Sequence, residues 1–169
     1  MLIGLAFTTQ AQEISKNAIG LRLGDSDGFG VEVSYQRKLS TRNRLEVDLG
    51  FRNQHNYYYN DDDLAAIKLT GLYQWVWKID GGFNWYAGVG GGLGTWNHKY
   101  YDGNNGNGNN DYYYSDSGVF VFAAGDIGIE YNFDIPLMLS LDLRPEIGSD
   151  NYYNNGVTAD IGFGIRYQF

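Results

Sequence analysis

Two histidines and two serines are the side chains of this sequence best suited to acid–base or nucleophilic chemistry. They are His55, His98, Ser115 and Ser117. A serine hydroxyl becomes a strong nucleophile when a histidine within hydrogen-bond reach removes its proton. Neither histidine stands in a recognisable His-x-Ser arrangement, and an isolated histidine in a polar segment is usually an ordinary loop residue. The sequence therefore predicts no enzyme and no catalytic residues, with lipid modification as the weaker alternative.

Oxygen-rich side chains cluster in two segments, "NDDD" at 60–63 and "DGNNGNGNND" at 102–111. Calcium prefers such ligands, but a calcium-binding loop also needs acidic third and fifth ligands and a closing glutamate at its twelfth position. The second segment lacks all three, and its Gly and Asn content is typical of a turn. We expect no metal and no cofactor, and the weak metal candidates are Asp61, Asp62, Asp63, Asp102 and Asp111.

Composition excludes several classes of protein. The 169 residues suit one domain, and the absence of cysteine excludes disulfides and thiolate metal sites. A net charge of -8 leaves no basic stripe to neutralise phosphates, so nucleic acid is not an expected partner. Aromatic residues make up 17% of the chain, which is far too much for a disordered protein.

The first residues, "MLIGLAFTTQAQE", form a short apolar run followed by small and polar residues. This pattern is typical of the end of a secretory signal, so we predict a residual signal peptide at 1–11 and a single domain at 12–169. A buried N-terminal strand or helical turn is the alternative. No stretch of about 18 consecutive apolar residues is present, so the sequence predicts no transmembrane helix.

Apolar and polar residues alternate with a period of two throughout the chain, as in β-strands. Tight connections follow the second, fourth and sixth runs, and longer Gly-, Asn- and Asp-rich connections follow the others. This arrangement predicts an up-and-down antiparallel meander with a tight-turn rim and a long-loop rim. The eight predicted strands are 18–24, 30–39, 44–52, 65–79, 83–97, 118–133, 136–146 and 156–169.

Side-chain size decides which face of these strands points inward. The odd-numbered face carries about forty apolar residues, whereas an eight-stranded barrel has an interior only just wide enough for side chains. The even-numbered face carries glycines and charges, and it fits inside. The apolar face must then point outward, which is stable only in lipid. The predicted fold is all-β, a closed eight-stranded antiparallel up-and-down transmembrane β-barrel.

The inward face carries eight basic and eight acidic residues, so we expect a neutral lumen packed with ion pairs. An ion path is the alternative. We expect a neutral tight-turn rim as well, which leaves the net -8 on the long-loop rim, where nine aspartates face only Lys99. Lys38, Arg52, Lys78 and Glu146 complete the inward set. The predicted ion-pair network is Arg22, Glu32, Arg44, Glu46, Asp48, Lys68, Asp126, Glu130, Asp142, Arg144, Asp160 and Arg166.

Aromatic residues gather at the tight-turn rim, as expected of an interfacial girdle. They include Trp75, Trp77 and Trp85. The last strand ends in alternating apolar residues and a terminal aromatic, namely Ile161, Phe163, Ile165, Tyr167 and Phe169. In this strand and in its overall layout the chain resembles the small outer-membrane barrels of the OmpA-transmembrane-domain and OmpX type. The resemblance implies that the barrel-assembly machinery reads the terminal strand.

The long loops carry clusters of tyrosine among Asn, Gly and Ser, a composition typical of adaptable binding loops. The alternative is an outer aromatic girdle at the headgroup level. These tyrosines are Tyr57, Tyr58, Tyr59, Tyr112, Tyr113, Tyr114, Tyr152 and Tyr153.

The sequence therefore predicts a Gram-negative outer-membrane protein with extracellular long loops and periplasmic termini. Expected partners are outer-membrane lipid or lipopolysaccharide, an extracellular surface, or another outer-membrane protein in a shared complex. A transporter or pore for small or lipophilic solutes is the alternative function.

Overall fold

The computed structural model describes residues 14–24, 29–56, 62–102, 112–148 and 157–169. No helix among these residues is long and apolar enough to cross a membrane. The residues of the predicted signal peptide lie outside the described ranges. The eight strands are β1 (Asn17–Leu23), β2 (Val31–Lys38), β3 (Asn43–Asn56), β4 (Asp62–Lys78), β5 (Phe83–Asp102), β6 (Tyr112–Asn132), β7 (Leu137–Gly148) and β8 (Val157–Gln168).

The strands form a closed barrel in sequence order, so the predicted fold is confirmed. Every neighbouring pair is antiparallel, and β1 closes the barrel against β8 with Ala18 opposite Gln168 and Leu23 opposite Phe163. Closure matters because it satisfies strand hydrogen bonds that an open edge would leave unpaired in lipid.

Burial alternates along the strands in the predicted sense. Odd-numbered apolar side chains such as Val89 and Leu93 are more than half exposed, at 57% and 52%. Even-numbered charged side chains such as Arg144 and Asp48 are fully buried. Exposed apolar side chains on every strand would be unstable in water, whereas in lipid they are the favoured arrangement.

Strand register places the outward residues in matched rows across β3 to β6. The row containing Leu49, Leu69, Leu93 and Val121 is wholly apolar, and the next row toward the long loops holds Phe51, Ile67, Thr95 and Val119. The row beyond it is mostly polar, with Asn53, Ala65, Asn97 and Ser117. From Trp85 to Thr95 the apolar band is about 25 Å tall for strands tilted by about 40°. This height matches the hydrocarbon core of an outer membrane.

The four central strands are longer than the sequence pattern predicts. The fifth strand, predicted to end at residue 97, continues to Asp102, and the sixth begins at Tyr112 instead of residue 118. The third and fourth strands likewise reach Asn56 and start at Asp62. Backbone pairing continues past the membrane band because the hydrogen bonds do not require apolar side chains. Beyond Thr95, β5 extends about 23 Å further along its axis.

Candidate functional site

The lumen contains a network of ion pairs, and Arg22 on β1 lies at one of its centres. Its guanidinium donates to Glu32 at 3.0 Å, to Asp142 at 2.6 Å and to Asp160 at 2.6 Å. These carboxylates come from β2, β7 and β8, so one arginine joins four adjacent strands around the seam where the barrel closes. Such charge-assisted hydrogen bonds compensate for burial of the charges.

Arg144 on β7 reaches across the lumen to the opposite side of the barrel. Its Nη2 donates to Glu46 at 3.0 Å and to Asp48 at 2.7 Å, both on β3, and its Nη1 donates to Glu32 at 3.3 Å. Arg166 on β8 also approaches Glu46, at 3.3 Å. Side chains that pair across the lumen cross the path that an ion would need.

Arg44 anchors the network nearer the tight-turn rim. It donates to Glu130 at 2.6 Å and to the side-chain amide oxygen of Gln74 at 2.6 Å, and its guanidinium carbon lies 4.8 Å from the centre of the Tyr86 ring. Gln74 also donates to Asp126, and the Tyr86 hydroxyl donates to Asp142 at 3.3 Å. Neutral polar groups therefore connect the ion pairs, as fully buried charges require.

The structure places all twelve residues of the predicted network inside the barrel, each at most 5% exposed. Sequence reasoning did not identify the neutral members Ser34, Gln36, Gln74, Tyr86 and Ser140. Gln36 donates to Glu46 at 2.5 Å, and Arg166 donates to the hydroxyls of Ser34 and Ser140 at 2.9 and 2.8 Å. Their even numbers in strand segments were the available signal, because each falls on the inward face.

The fully buried charges of the lumen are not equally divided between the two signs, and the neutrality of the whole inward set stays a prediction. Among the described residues, five basic and eight acidic side chains are buried. Lys38 and Arg52 are only half-buried, and Lys78 is exposed at the end of β4. Lys38 and Arg52 each have a partner, and the Arg52 Nε is buried, so both add positive charge at the ends of the lumen.

An apolar layer lies above the charged layer, on the side of the long loops, and sequence reasoning missed it. It contains Phe29, Ala66, Trp96, Phe120 and Phe122, and the same buried cluster continues down to Leu72 and Ala124, which stand opposite Glu46 and Glu146 in the strand register. Lys68 marks the boundary, since its Nζ lies 3.1 Å from Glu146 and 4.9 Å from the centre of the Phe29 ring. The ammonium group thus pairs with a carboxylate below and with an aromatic face above.

The predicted girdle residues lie together at the tight-turn rim. Trp77 and Trp85 face each other across β4 and β5 with ring centres 4.2 Å apart. Phe83 and Tyr131 pack at 4.6 Å, and Tyr167 and Phe169 at 6.2 Å. The alternating residues of the last strand, including Phe163 and Ile165, all point outward and are at least 42% exposed. Their role as an assembly signal remains a prediction.

The remaining predicted residues lie at the long-loop end. Ser115 and Ser117 are on β6 and His98 is on β5, so they lie on strands and not in loops. Tyr112, Tyr113 and Tyr114 also begin β6, and Tyr114 is 46% exposed. Asp62 and Asp63 start β4, and Asp102 ends β5. Asp61, Asp111, Tyr57, Tyr58, Tyr59, Tyr152 and Tyr153 lie outside the described residues. No cluster suited to a metal ion forms within the described ranges.

The fold is that of the small outer-membrane barrels. Eight antiparallel strands close in sequence order, an apolar band faces outward, and ion pairs fill the lumen. No family model matches the chain, and no curated protein does. Solved structures do match. Ail, the attachment invasion locus protein of Yersinia pestis, is similar with a TM-score of 0.54 and 16% identity over 92% of this chain and 97% of that one.

Two further structures share the fold. Neisserial surface protein A gives a TM-score of 0.57 with 16% identity, covering 90% of this chain and 93% of its own. The N-terminal β-barrel domain of Pseudomonas aeruginosa OprF gives 0.51 with 13% identity, covering 90% and 95%. At these identities the likeness is one of fold.

Proposed function

We propose that this protein is a non-enzymatic outer-membrane barrel whose projecting end binds a partner outside the membrane. We name this end the projecting sheet: β3 from Phe51, β4 to Ile67, β5 from Thr95 and β6 to Val119. One observation carries the proposal. The outward side chains stop being apolar at the same level on all four strands, whereas the strands themselves continue beyond that level. A barrel that only sealed a membrane would not need this extension.

The height of the projecting sheet supports a binding role. β7 pairs with β6 as far as Phe122 opposite Gly148, whereas β6 itself begins ten residues earlier, at Tyr112. On the other side, β2 pairs with β3 only up to Gly50. The four long strands therefore rise above the paired parts of β2 and β7, and the side chains at their upper ends lie outside the apolar band.

The acidic residues at the long-loop end restrict the kind of partner that this end can bind. The connections at this end contain Asp25, Asp27, Asp61, Asp111 and Asp150, and the chain as a whole carries a net charge of -8. An acidic surface repels polyanions and attracts basic or neutral surfaces. We therefore propose a basic or uncharged partner, such as a neutral glycan or a basic protein surface, with the long loops extracellular.

A variant of the projecting sheet tests this proposal. We expect that Tyr114→Ala, combined with an Asn-Gly turn in place of residues 103–111, weakens retention of a co-purifying partner at least tenfold in mild detergent. The reason is loss of an exposed aromatic contact and of loop surface. Quantitative mass spectrometry of the native extract measures it.

The matched control is Tyr35→Ala, because Tyr35 is exposed to a similar degree, at 36%, on the membrane-embedded half of the barrel. Both variants should keep the mobility difference between boiled and unboiled samples that folded barrels show on denaturing gels. Equal retention by the loop variant and wild type, or equal loss in the control, would contradict the proposal.

The apolar layer around Phe122 favours one second candidate, a path for small lipophilic solutes. The charged layer beneath it opposes a continuous path, because Arg144 pairs across the lumen. We expect purified protein in planar bilayers to show no steady conductance, since eight strands leave room only for side chains. Stable steps that change with Arg144→Ala or Asp126→Ala would show that the lumen conducts.

A further inference from the structure

A cavity of about 330 Å³ lies at the tight-turn rim, on the opposite end of the barrel from the projecting sheet. Four parts of the chain line it: the segment before β1, the turn between β2 and β3, the end of β4 and the start of β5. The lining side chains used below are Ile14, Arg42, Val76, Trp77, Lys78 and Asn84. We name this cavity the rim pocket.

Backbone pairing fixes the basic residues of the rim pocket in place. The Val76 amide donates to the Arg42 carbonyl at 2.8 Å, which ties the turn to β4. Lys78 stands opposite Asn84 in the β4–β5 register. Arg42 lies in the turn before β3, and its backbone hydrogen bond to β4 holds it two residues from the position of Lys78, so both cations line the same cavity.

Neither cation has a counter-ion among the described residues. The Arg42 guanidinium and the Lys78 ammonium make no ion pair and no hydrogen bond to another described residue; only the Arg42 backbone amide donates to a side chain, the Ser40 hydroxyl, at 3.4 Å. The nearby carboxylate of Glu130 is already engaged, since it accepts from Arg44 at 2.6 Å and from Asn84 at 3.0 Å. Two like charges at one cavity repel each other, and an anion between them removes that repulsion.

Apolar walls distinguish this cavity from a plain anion site. Val76 is only 4% exposed, and Ile14 and Trp77 are half-buried. Trp77 stacks on Trp85 in the girdle, so the rim pocket is continuous with the surface that contacts the membrane. A ligand with a phosphate head and an apolar body matches both parts of the lining.

We infer that the rim pocket binds the phosphate group of a phospholipid from the leaflet that faces the tight-turn rim. Arg42 and Lys78 contact the phosphate oxygens, with the guanidinium able to donate two hydrogen bonds at once. The apolar lining contacts the glycerol and the first methylenes of the acyl chains. This inference rests on the proposed function for its premise that the barrel lies in a membrane.

Lipid titration followed by native mass spectrometry tests the inference. Detergent-purified barrel is titrated with phosphatidylglycerol, and the fraction carrying one lipid is measured. We expect the Arg42→Gln, Lys78→Gln double variant to bind at least tenfold more weakly than wild type. The matched control is Lys16→Gln with Arg37→Gln, which removes the same charge from exposed rim positions outside the pocket. We expect the control to stay within twofold of wild type.

Three results would overturn the inference. Equal weakening in both double variants would mean that only the general charge of the rim attracts lipid. Unchanged binding in the pocket variant would remove the site, and displacement of the lipid by equimolar inorganic phosphate would assign it to free phosphate. A failure of the proposed function would be seen in a different measurement. Partner retention reports on the projecting sheet, whereas the fraction of barrel carrying one lipid reports on the rim pocket.

Discussion

Replacing Arg144 with methionine should destabilise the folded barrel by about 3–5 kcal/mol, the cost typical of removing one partner from a buried ion pair. Arg144 is fully buried and donates to Glu32, Glu46 and Asp48. Methionine has a similar length but no charge, so packing is largely kept while three carboxylates lose their shared cation.

The free energy of unfolding in a bilayer, measured by reversible denaturant titration, checks this result. Arg37→Met is the matched control, because Arg37 is exposed and, among the described residues, its side chain donates only to Asn17, at 2.7 Å. We expect the control to change stability by less than about 1 kcal/mol. Adding Glu46→Gln and Asp48→Asn to the methionine variant should restore part of the loss. Equal stability of Arg144→Met and wild type would mean that the network contributes little.

The second large effect is expected at Gly128, where alanine should destabilise the barrel by about 1–3 kcal/mol through overpacking. Gly128 lies opposite Tyr86 in the β5–β6 register. A Cβ atom there would lie 2.5 Å from the Tyr86 ring and 2.7 Å from the Leu141 carbonyl oxygen. Tyr86 is 1% exposed and has no room to retreat, and its movement would disturb the contacts with Arg44 and Asp142.

Gly71→Ala is the control for this prediction, since it makes the same chemical change on the lipid-facing side of β4. A Cβ atom at Gly71 would meet nothing closer than 4.0 Å. We expect it to be neutral or to stabilise by up to about 1 kcal/mol, because alanine restricts the unfolded chain. The same denaturant titration compares the two variants. Equal changes in the free energy of unfolding for the two variants would mean that the Tyr86 ring leaves room for a Cβ atom at position 128.

The sequence predicted the strand number, the topology and the direction of both faces because these follow from local patterning and size. Alternation with a period of two reveals a strand, and the alternation of short and long connections orders the strands into a meander. The apolar face had to point outward because its side chains exceed the volume inside eight strands. The buried positions of Arg22, Arg44, Arg144 and Arg166 followed from strand parity alone.

Strand ends were harder to predict, and the projecting sheet shows why. Past Thr95 and Val119 the side chains no longer alternate in polarity, although backbone pairing continues to Asp102 opposite Tyr112. Cross-strand hydrogen bonds are made by backbone groups, which polar and apolar residues share, so side-chain polarity carries no information about where pairing stops. For the same reason the sequence pattern predicts a loop at Tyr114, whereas this residue lies on β6.

By itself, the sequence determined a closed eight-stranded barrel with an apolar exterior and charged side chains inside. Only the tertiary structure decided which charges meet, because Arg144 and Asp48 are far apart in sequence and face each other only after closure. It also decided that Lys78 lies at the rim and not in the lumen, and that Phe29, Trp96 and Phe122 form an apolar layer. Whether a residue number is odd or even predicts the face of the strand on which its side chain lies. The height of that side chain along the barrel, and its distance from side chains on other strands, depend on strand register and barrel closure.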